Sequence, residues 1–205
     1  MKLDEALLEI SHIRAQVART ETFRGYRSLT VALSGGIALV AAAVQGFFVA
    51  QPLEMVDRYL AVWTSAAACS MAAAAVGMMV HLRRSSSPLT REHTRSAVEQ
   101  FLPCIAAGAV ITLVIARQSL EAAWMLPGLW SLLFSLGIFS SISLLPRRVA
   151  LVAIYYFLCG TLLLVFPRGA EALEPWTMGL VFGVGQLSAA AVLYFSLERS
   201  DECET

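Results

Sequence analysis

Residues 29–50 read LTVALSGGIALVAAAVQGFFVA, a stretch of twenty-two residues without one charged side chain. At a rise of about 1.5 Å per residue, a helix of this length crosses the roughly 30 Å hydrocarbon core of a bilayer. Five further apolar runs follow, at 58–80, 101–116, 123–145, 149–166 and 176–197. The chain is 58% hydrophobic and 15% charged, whereas soluble domains carry about a quarter charged residues. The sequence therefore predicts an all-α integral membrane protein with six transmembrane helices.

The apolar runs divide the chain into three parts. Residues 1–28 are predicted to form a cytoplasmic amphipathic helix, 29–198 the six-helix transmembrane domain, and 199–205 an acidic cytoplasmic tail. The connections between the runs are short, except where a cytoplasmic helix at about 88–100 follows Pro88 between the second and third spans. Because short links make consecutive helices antiparallel neighbours, we expect three antiparallel hairpins.

The basic residues are divided unequally between the two sides of the predicted membrane domain. Twelve of the fifteen lie on the side of the N-terminus, and only Arg58, Arg117 and Arg168 lie on the other. Cationic loops next to membrane spans stay in the cytoplasm. We therefore expect both termini inside, in a bacterial inner (plasma) membrane, with membrane lipids as neighbours.

The N-terminal segment carries one apolar stripe at helical spacing. Its members most suited to docking are Leu3, Ile10, Ile13 and Val17. Such a short helix does not stay folded alone, so it needs a surface to pack on. Either it lies on lipid headgroups or under the bundle, or it contacts a second copy or another membrane protein.

Few side chains in the spans have reactive chemistry. Lys2 is the only lysine, and the three histidines, His12, His81 and His93, fall at cytoplasmic positions. No two cysteines stand at the two-residue spacing of a metal or redox motif, and neither a phosphate-binding glycine loop nor an HExxH motif occurs. The net charge of zero argues against nucleic acid as a partner. We expect no enzymatic activity, no catalytic residue, no metal and no cofactor.

Small and polar residues recur every three to four positions within three spans. The stripes are Gly179, Gly183, Gln186 and Ala190; Ser34, Ala38, Ala41 and Gln45; and Cys104, Gly108 and Thr112. Small residues let membrane helices approach closely, so these stripes are predicted packing surfaces, led by Gly179, Gly183, Gly108 and Ala38. The alternative is that they line a path for a solute.

Gln186 is the most informative of these polar residues, because an unpaired amide in hydrocarbon costs several kcal/mol. Tyr155 and Tyr156 lie at a similar predicted depth, and we expect one of them to meet it. Ser131 follows Pro127, which is predicted to kink the fourth span or to border a pocket there. With Gln45, although its predicted depth differs, these residues form the candidate polar site near the midplane.

Two functions fit this pattern. The first is a non-catalytic membrane subunit or scaffold that associates through its N-terminal helix and cytoplasmic loops with itself or a partner. The second is a small-solute transporter or solute-binding membrane subunit with a site near the midplane. A pocket at Gln186, Tyr155 and Ser131 favours the second function, whereas a tightly packed core favours the first.

Overall fold

A computed structural model describes residues 28–84, 88–145 and 147–198, and every regular element in those ranges is helical. The six α-helices are α1 (Ser28–Phe48), α2 (Val56–Arg84), α3 (Pro88–Gln118), α4 (Leu126–Ser140), α5 (Val149–Val165) and α6 (Pro175–Leu193). Short 3-10 helices occupy Leu120–Met125, Ile142–Leu144 and Gly169–Leu173, and a π-helical turn at Tyr194–Glu198 extends α6.

Five helical segments are long and apolar enough to cross a membrane: Ser28–Phe48, Val56–Val80, Val98–Gln118, Leu120–Ser140 and Pro175–Ser196. The apolar α5 has 17 residues, close to the lower limit for a span. The prediction of helices long and apolar enough to cross a membrane, in a chain whose described residues form helices and no strands, is thereby confirmed. The predicted docking residues Leu3, Ile10, Ile13 and Val17 and the acidic tail lie outside the described residues.

The third span differs from its prediction in length. α3 is one continuous helix of 31 residues, so the segment 88–100 and the third apolar run belong to a single element. Its polar first half carries the exposed Arg95–Glu99 ion pair, at 2.6 Å. Pro103 lies in the middle of this helix, where it removes a backbone donor.

The fourth span contains no internal proline kink. The 3-10 helix Leu120–Met125 ends where α4 begins at Leu126, and Pro127 therefore occupies the first turn of α4. A missing N–H is harmless at that position, because the first amides of a helix have no partner within it. Instead of a kink at Pro127, the chain changes from a 3-10 helix to an α-helix at Leu126.

The helices α1 and α6 pack closely along their small residues. A Cβ added at Gly179 would lie 2.5 Å from Cβ of Ala42, and one added at Gly35 would lie 3.2 Å from the Gly183 carbonyl oxygen. Ala38 is buried in the same contact. Residue numbers rise along α1 as they fall along α6, so the two helices are antiparallel and Ser28 and Leu193 lie at the same end of the bundle.

A second close contact joins α4 and α5. A Cβ added at Gly128 would lie 2.9 Å from the Gly160 carbonyl oxygen, and a Cβ added at Gly160 would lie 2.9 Å from the Gly128 carbonyl oxygen. Seven residues along α4, Ser135 donates a hydrogen bond to the Ala153 carbonyl of α5, at 2.8 Å. The backbones of these two helices therefore touch at the glycine pair, and a buried hydroxyl fixes their register.

Candidate functional site

The described part of the bundle contains a groove of about 540 Å³ that extends through the middle of the predicted membrane region. Along α3 its wall runs from Phe101 to Leu113, a length of about 18 Å at about 1.5 Å per residue. The wall is formed by residues of α1, α2, α3, α4 and α6. Its size lies within the range of small-molecule pockets, roughly 300–1,000 Å³.

The groove has a buried floor and an exposed rim. Ala38, Met178 and Gln186, on α1 and α6, are buried and form the floor. Ala67 and Met71 on α2, and Ile105, Ala109 and Leu113 on α3, also line the groove and are exposed. Since α2 and α3 touch each other at few points, the groove opens between these two helices.

Most polar groups in the wall already have partners. Ser34 donates to the Val31 carbonyl at 2.7 Å, and Thr64 donates to the Leu60 carbonyl at 2.6 Å. Thr112 donates to its own helix at Gly108 and accepts a hydrogen bond from the Trp130 indole at 2.9 Å. Hydroxyls bonded to carbonyls of their own helix leave few hydrogen-bonding groups for a ligand, so most of the wall is apolar.

Gln186 is the buried residue of this wall whose polar group has no partner among the described residues. Its side chain is 9% exposed, it lines the groove, and none of the described residues hydrogen-bonds to its amide. Its Cβ lies against α1, where a Cβ added at Gly35 would lie 3.1 Å away. A glycine at position 35 therefore makes room for Gln186 at the floor, and the amide retains its donors and acceptor for another molecule.

Gln45 has the opposite environment. Its side chain is 0% exposed, it donates to the Leu173 carbonyl at 2.6 Å, and its oxygen accepts a hydrogen bond from the Trp63 indole at 2.6 Å. Both ends of this amide are used, so Gln45 is a structural link at the outer end of the bundle. Only the Trp63 ring, and not Gln45 itself, lines the groove.

The structure does not place the two predicted tyrosines in the groove. The Tyr155 hydroxyl donates to the Val181 carbonyl at 3.3 Å, and the Tyr156 hydroxyl donates to the Phe182 carbonyl at 3.4 Å. Neither is bonded to Gln186, contrary to expectation. The physical reason is Gly185, which has no Cβ to keep the Tyr156 ring away from the α6 backbone.

Ser131 is also absent from the groove wall. It is 0% exposed and donates to the Pro127 carbonyl at 2.8 Å. Of the five residues predicted to form a polar site, the structure therefore places only Gln186 in the groove.

Gly108 was predicted as a packing residue but lies on the groove wall. A Cβ added there would meet only Leu133, at an ordinary 3.7 Å. The whole stripe of Cys104, Gly108 and Thr112 lines the groove, as the alternative interpretation of these stripes allowed.

The prediction missed the aromatic residues that form the rest of the wall. Trp63, Trp130, Phe101, Phe134 and Phe182 line the groove. A signal was present in α6, where Met178, Phe182 and Gln186 recur every four residues and so share one helix face. The gap between α2 and α3 has no such signal, because a helix that lines a groove and a helix that faces lipid have similar apolar sequences.

No family model, curated protein or solved structure matches this chain. Function must therefore be inferred from the groove itself. Among the described residues, its wall provides one amide without a partner, a thiol at Cys104 and several aromatic rings, and none of those wall residues is charged. Such a surface suits the binding of an uncharged molecule through apolar contact and a hydrogen bond.

Proposed function

We propose that this protein is a solute-binding membrane subunit that holds an uncharged small molecule in the groove, with the Gln186 amide as its polar anchor. The observation that supports this proposal is that Gln186 lines the groove, is nine-tenths buried and has no hydrogen bond to any of the described residues. Its amide atoms are not among the fully enclosed unpaired atoms of the described residues, so they lie at the groove surface, where a bound molecule can hydrogen-bond to them. Binding without chemistry is consistent with a wall that includes no carboxylate, imidazole or amine.

The scaffold hypothesis depends on the N-terminal helix and on the cytoplasmic loops. Leu3, Ile10, Ile13 and Val17 lie outside the described residues, so no contact bears on that docking surface. The groove, by contrast, lies entirely within the described residues. Solute binding is therefore the better supported of the two functions.

The proposed function is tested by replacing the anchor. We expect Gln186→Leu to lower the amount of small molecule that co-purifies with the protein about tenfold, the effect of losing one or two hydrogen bonds to a bound group. The melting temperature in detergent should change by no more than about 3 °C, because the parent side chain makes no hydrogen bond to lose. Organic extracts of equal amounts of purified protein, compared by mass spectrometry, give the measurement.

Tyr155→Phe is the matched control, since it removes a hydroxyl at a similar depth on the neighbouring helix, outside the groove. It should retain the same molecules as the parent. A Gln186→Leu variant that melts far lower yet keeps its bound molecules would refute the solute-binding proposal and leave Gln186 as a packing residue.

We further propose that the six helices span the membrane as three antiparallel hairpins with both termini in the cytoplasm. Support comes from the unequal division of basic residues and from the antiparallel packing of α1 on α6. In a bacterial inner membrane, the location we propose, this orientation places the arginine-rich loops in the cytoplasm.

The orientation is tested by thiol labelling in intact cells. Ala170 is exposed in the 3-10 helix between α5 and α6, and Ala170→Cys should react with a membrane-impermeant maleimide from outside. The native Cys203 should react only after the cells are opened. Position 170 is preferable to Gly169, whose positive φ of 62° disfavours any side chain. Labelling of Cys203 in sealed cells would show that the orientation is the opposite of the one proposed.

A further inference from the structure

We infer that the ligand is a lipophile with one hydroxyl or carbonyl group, and that it reaches the groove sideways from the bilayer, between α2 and α3. This inference rests on the proposed function, because it names the ligand class and the route for the same site. Three features carry it: the closed outer end, the open side, and the chemistry of the wall.

The outer end of the groove is closed by a buried cluster. Tyr59, Trp63, Leu126, Leu173 and Met178 are all buried there and belong to one hydrophobic core. Partly buried residues of α3 pack against the same core, namely Ile111, Ile115 and Ala116. The hydrogen bonds of Gln45 to Trp63 and Leu173 fix this cluster. A water-soluble molecule on the outer side therefore meets packed side chains before it reaches Gln186.

The side of the groove is open because α2 packs on α1 whereas α3 packs on α4. Gly77 of α2 packs against Thr30 of α1, whose hydroxyl oxygen would be 2.8 Å from an added Cβ. On the other side, Gly137 of α4 packs against the Phe101 ring of α3. The exposed rim residues lie within Val56–Val80 and Val98–Gln118, the segments apolar enough to cross a membrane. The opening therefore faces the acyl chains of the bilayer.

The wall selects against charge. None of the described residues that line the groove is charged, and burying an ionised group without a partner is strongly unfavourable. The Gln186 amide has two donors and one acceptor oxygen, which match a carbonyl or a hydroxyl group. Most of the remaining wall is aliphatic and aromatic over about 18 Å, and the hydroxyls of Ser34, Thr64 and Thr112 are bonded to carbonyls of their own helices, which fits an extended hydrocarbon body.

The route is tested by narrowing the side opening. Ala67 and Ala109 are exposed and line the groove on α2 and α3, whereas the nearby exposed alanines Ala68 and Ala106 do not line it. The double variant Ala67→Phe/Ala109→Phe should obstruct the opening, and Ala68→Phe/Ala106→Phe is the matched control. All four positions are exposed, so the added rings should not disturb the core, and melting temperatures verify this.

The readout is the quenching of tryptophan fluorescence in vesicles by a long-chain alcohol brominated at mid-chain. In a Trp124→Phe/Trp176→Phe background only Trp63 and Trp130 remain of the four tryptophans, and both line the groove. We expect the alcohol to quench the parent and the control pair equally. The obstructed variant should be quenched about tenfold more slowly after the alcohol is added, because rings on the rim overlap the path of the chain.

The ligand class is tested with the corresponding brominated alkane and carboxylate. The alcohol should bind about 3- to 10-fold more tightly than the alkane, the contribution of one hydrogen bond, and the ionised carboxylate should bind most weakly. Gln186→Leu should abolish the difference between alcohol and alkane.

The outcomes separate the two proposals. If obstruction changes quenching but Gln186→Leu does not, lateral access stands and the anchor role of Gln186 is wrong. If Gln186→Leu loses its ligand while both pairs of phenylalanines behave alike, the site stands and the lateral route is wrong. If the alcohol does not quench and only the Ala67→Phe/Ala109→Phe variant forms a smaller oligomer, a second copy of the chain covers the groove, and the inference is overturned.

Discussion

Replacing Gly160 with leucine is expected to prevent α4 and α5 from packing and to destabilise the protein more than any other single change considered. A Cβ at this position would lie 2.9 Å from both the Gly128 carbonyl oxygen and the Leu132 amide nitrogen. Backbone atoms cannot rotate away as a side-chain end does, so the two helices must separate. Overpacking of a core costs about 1–3 kcal/mol, which sets the expectation for Gly160→Ala, and leucine should exceed it.

The melting temperature in detergent, measured by the loss of helical circular dichroism or by aggregation on heating, checks this prediction. Gly36→Leu is the matched control, because Gly36 also lies inside a helix and an added Cβ would meet nothing within 4 Å. That control should melt no lower than the parent, since leucine favours a helix over glycine. Equal melting temperatures for Gly160→Leu and Gly36→Leu would contradict the close contact of α4 and α5.

The second large effect is expected at Gln45. Gln45→Leu removes the partners of two buried groups, the Trp63 indole N–H and the Leu173 carbonyl. Each group left unpaired costs about 1–3 kcal/mol. The variant should therefore melt well below the parent, whereas Gln186→Leu, the same chemical change at an unbonded amide, should melt close to it.

The two glutamine variants control for each other, because both exchange a buried amide for an apolar side chain of similar size. Trp63→Phe provides an independent check, since it removes only one of the two hydrogen bonds of Gln45 and should have about half the effect. If Gln45→Leu and Gln186→Leu have the same melting temperature, the distinction between a structural and a functional glutamine fails.

The helical fold was predictable because a helix that crosses a bilayer requires only a long apolar run, and the run at 29–50 already has that length. The close approach of α1 and α6 had a signal in the glycine spacing of Gly179 and Gly183. The contact of α4 and α5 had none, since Gly128 and Gly160 are single glycines in separate helices. Which isolated glycines meet depends on how the helices are arranged in the bundle, and the spacing of residues along one helix does not determine that arrangement.

The candidate site was predictable only in part. Gln186 could be singled out because amides are rare and costly in hydrocarbon. Its partners could not be assigned, since Tyr155 and Tyr156 use their hydroxyl groups on backbone carbonyls of α6 instead. A lateral opening depends on the divergence of α2 and α3, and a helix exposed to lipid has the same apolar composition as one that lines a groove.

The hydrogen bonds of Gln45 join the groove to the surface loop on the far side of the buried cluster. The Trp63 ring forms part of the groove wall, its N–H is bonded to Gln45, and Gln45 is bonded in turn to the carbonyl of Leu173 at the end of the 3-10 helix Gly169–Leu173. A molecule that displaces the indole must either break the first bond or move the amide and the loop together. If the proposed ligand displaces the indole without breaking that bond, its binding would therefore change the position of the loop between α5 and α6.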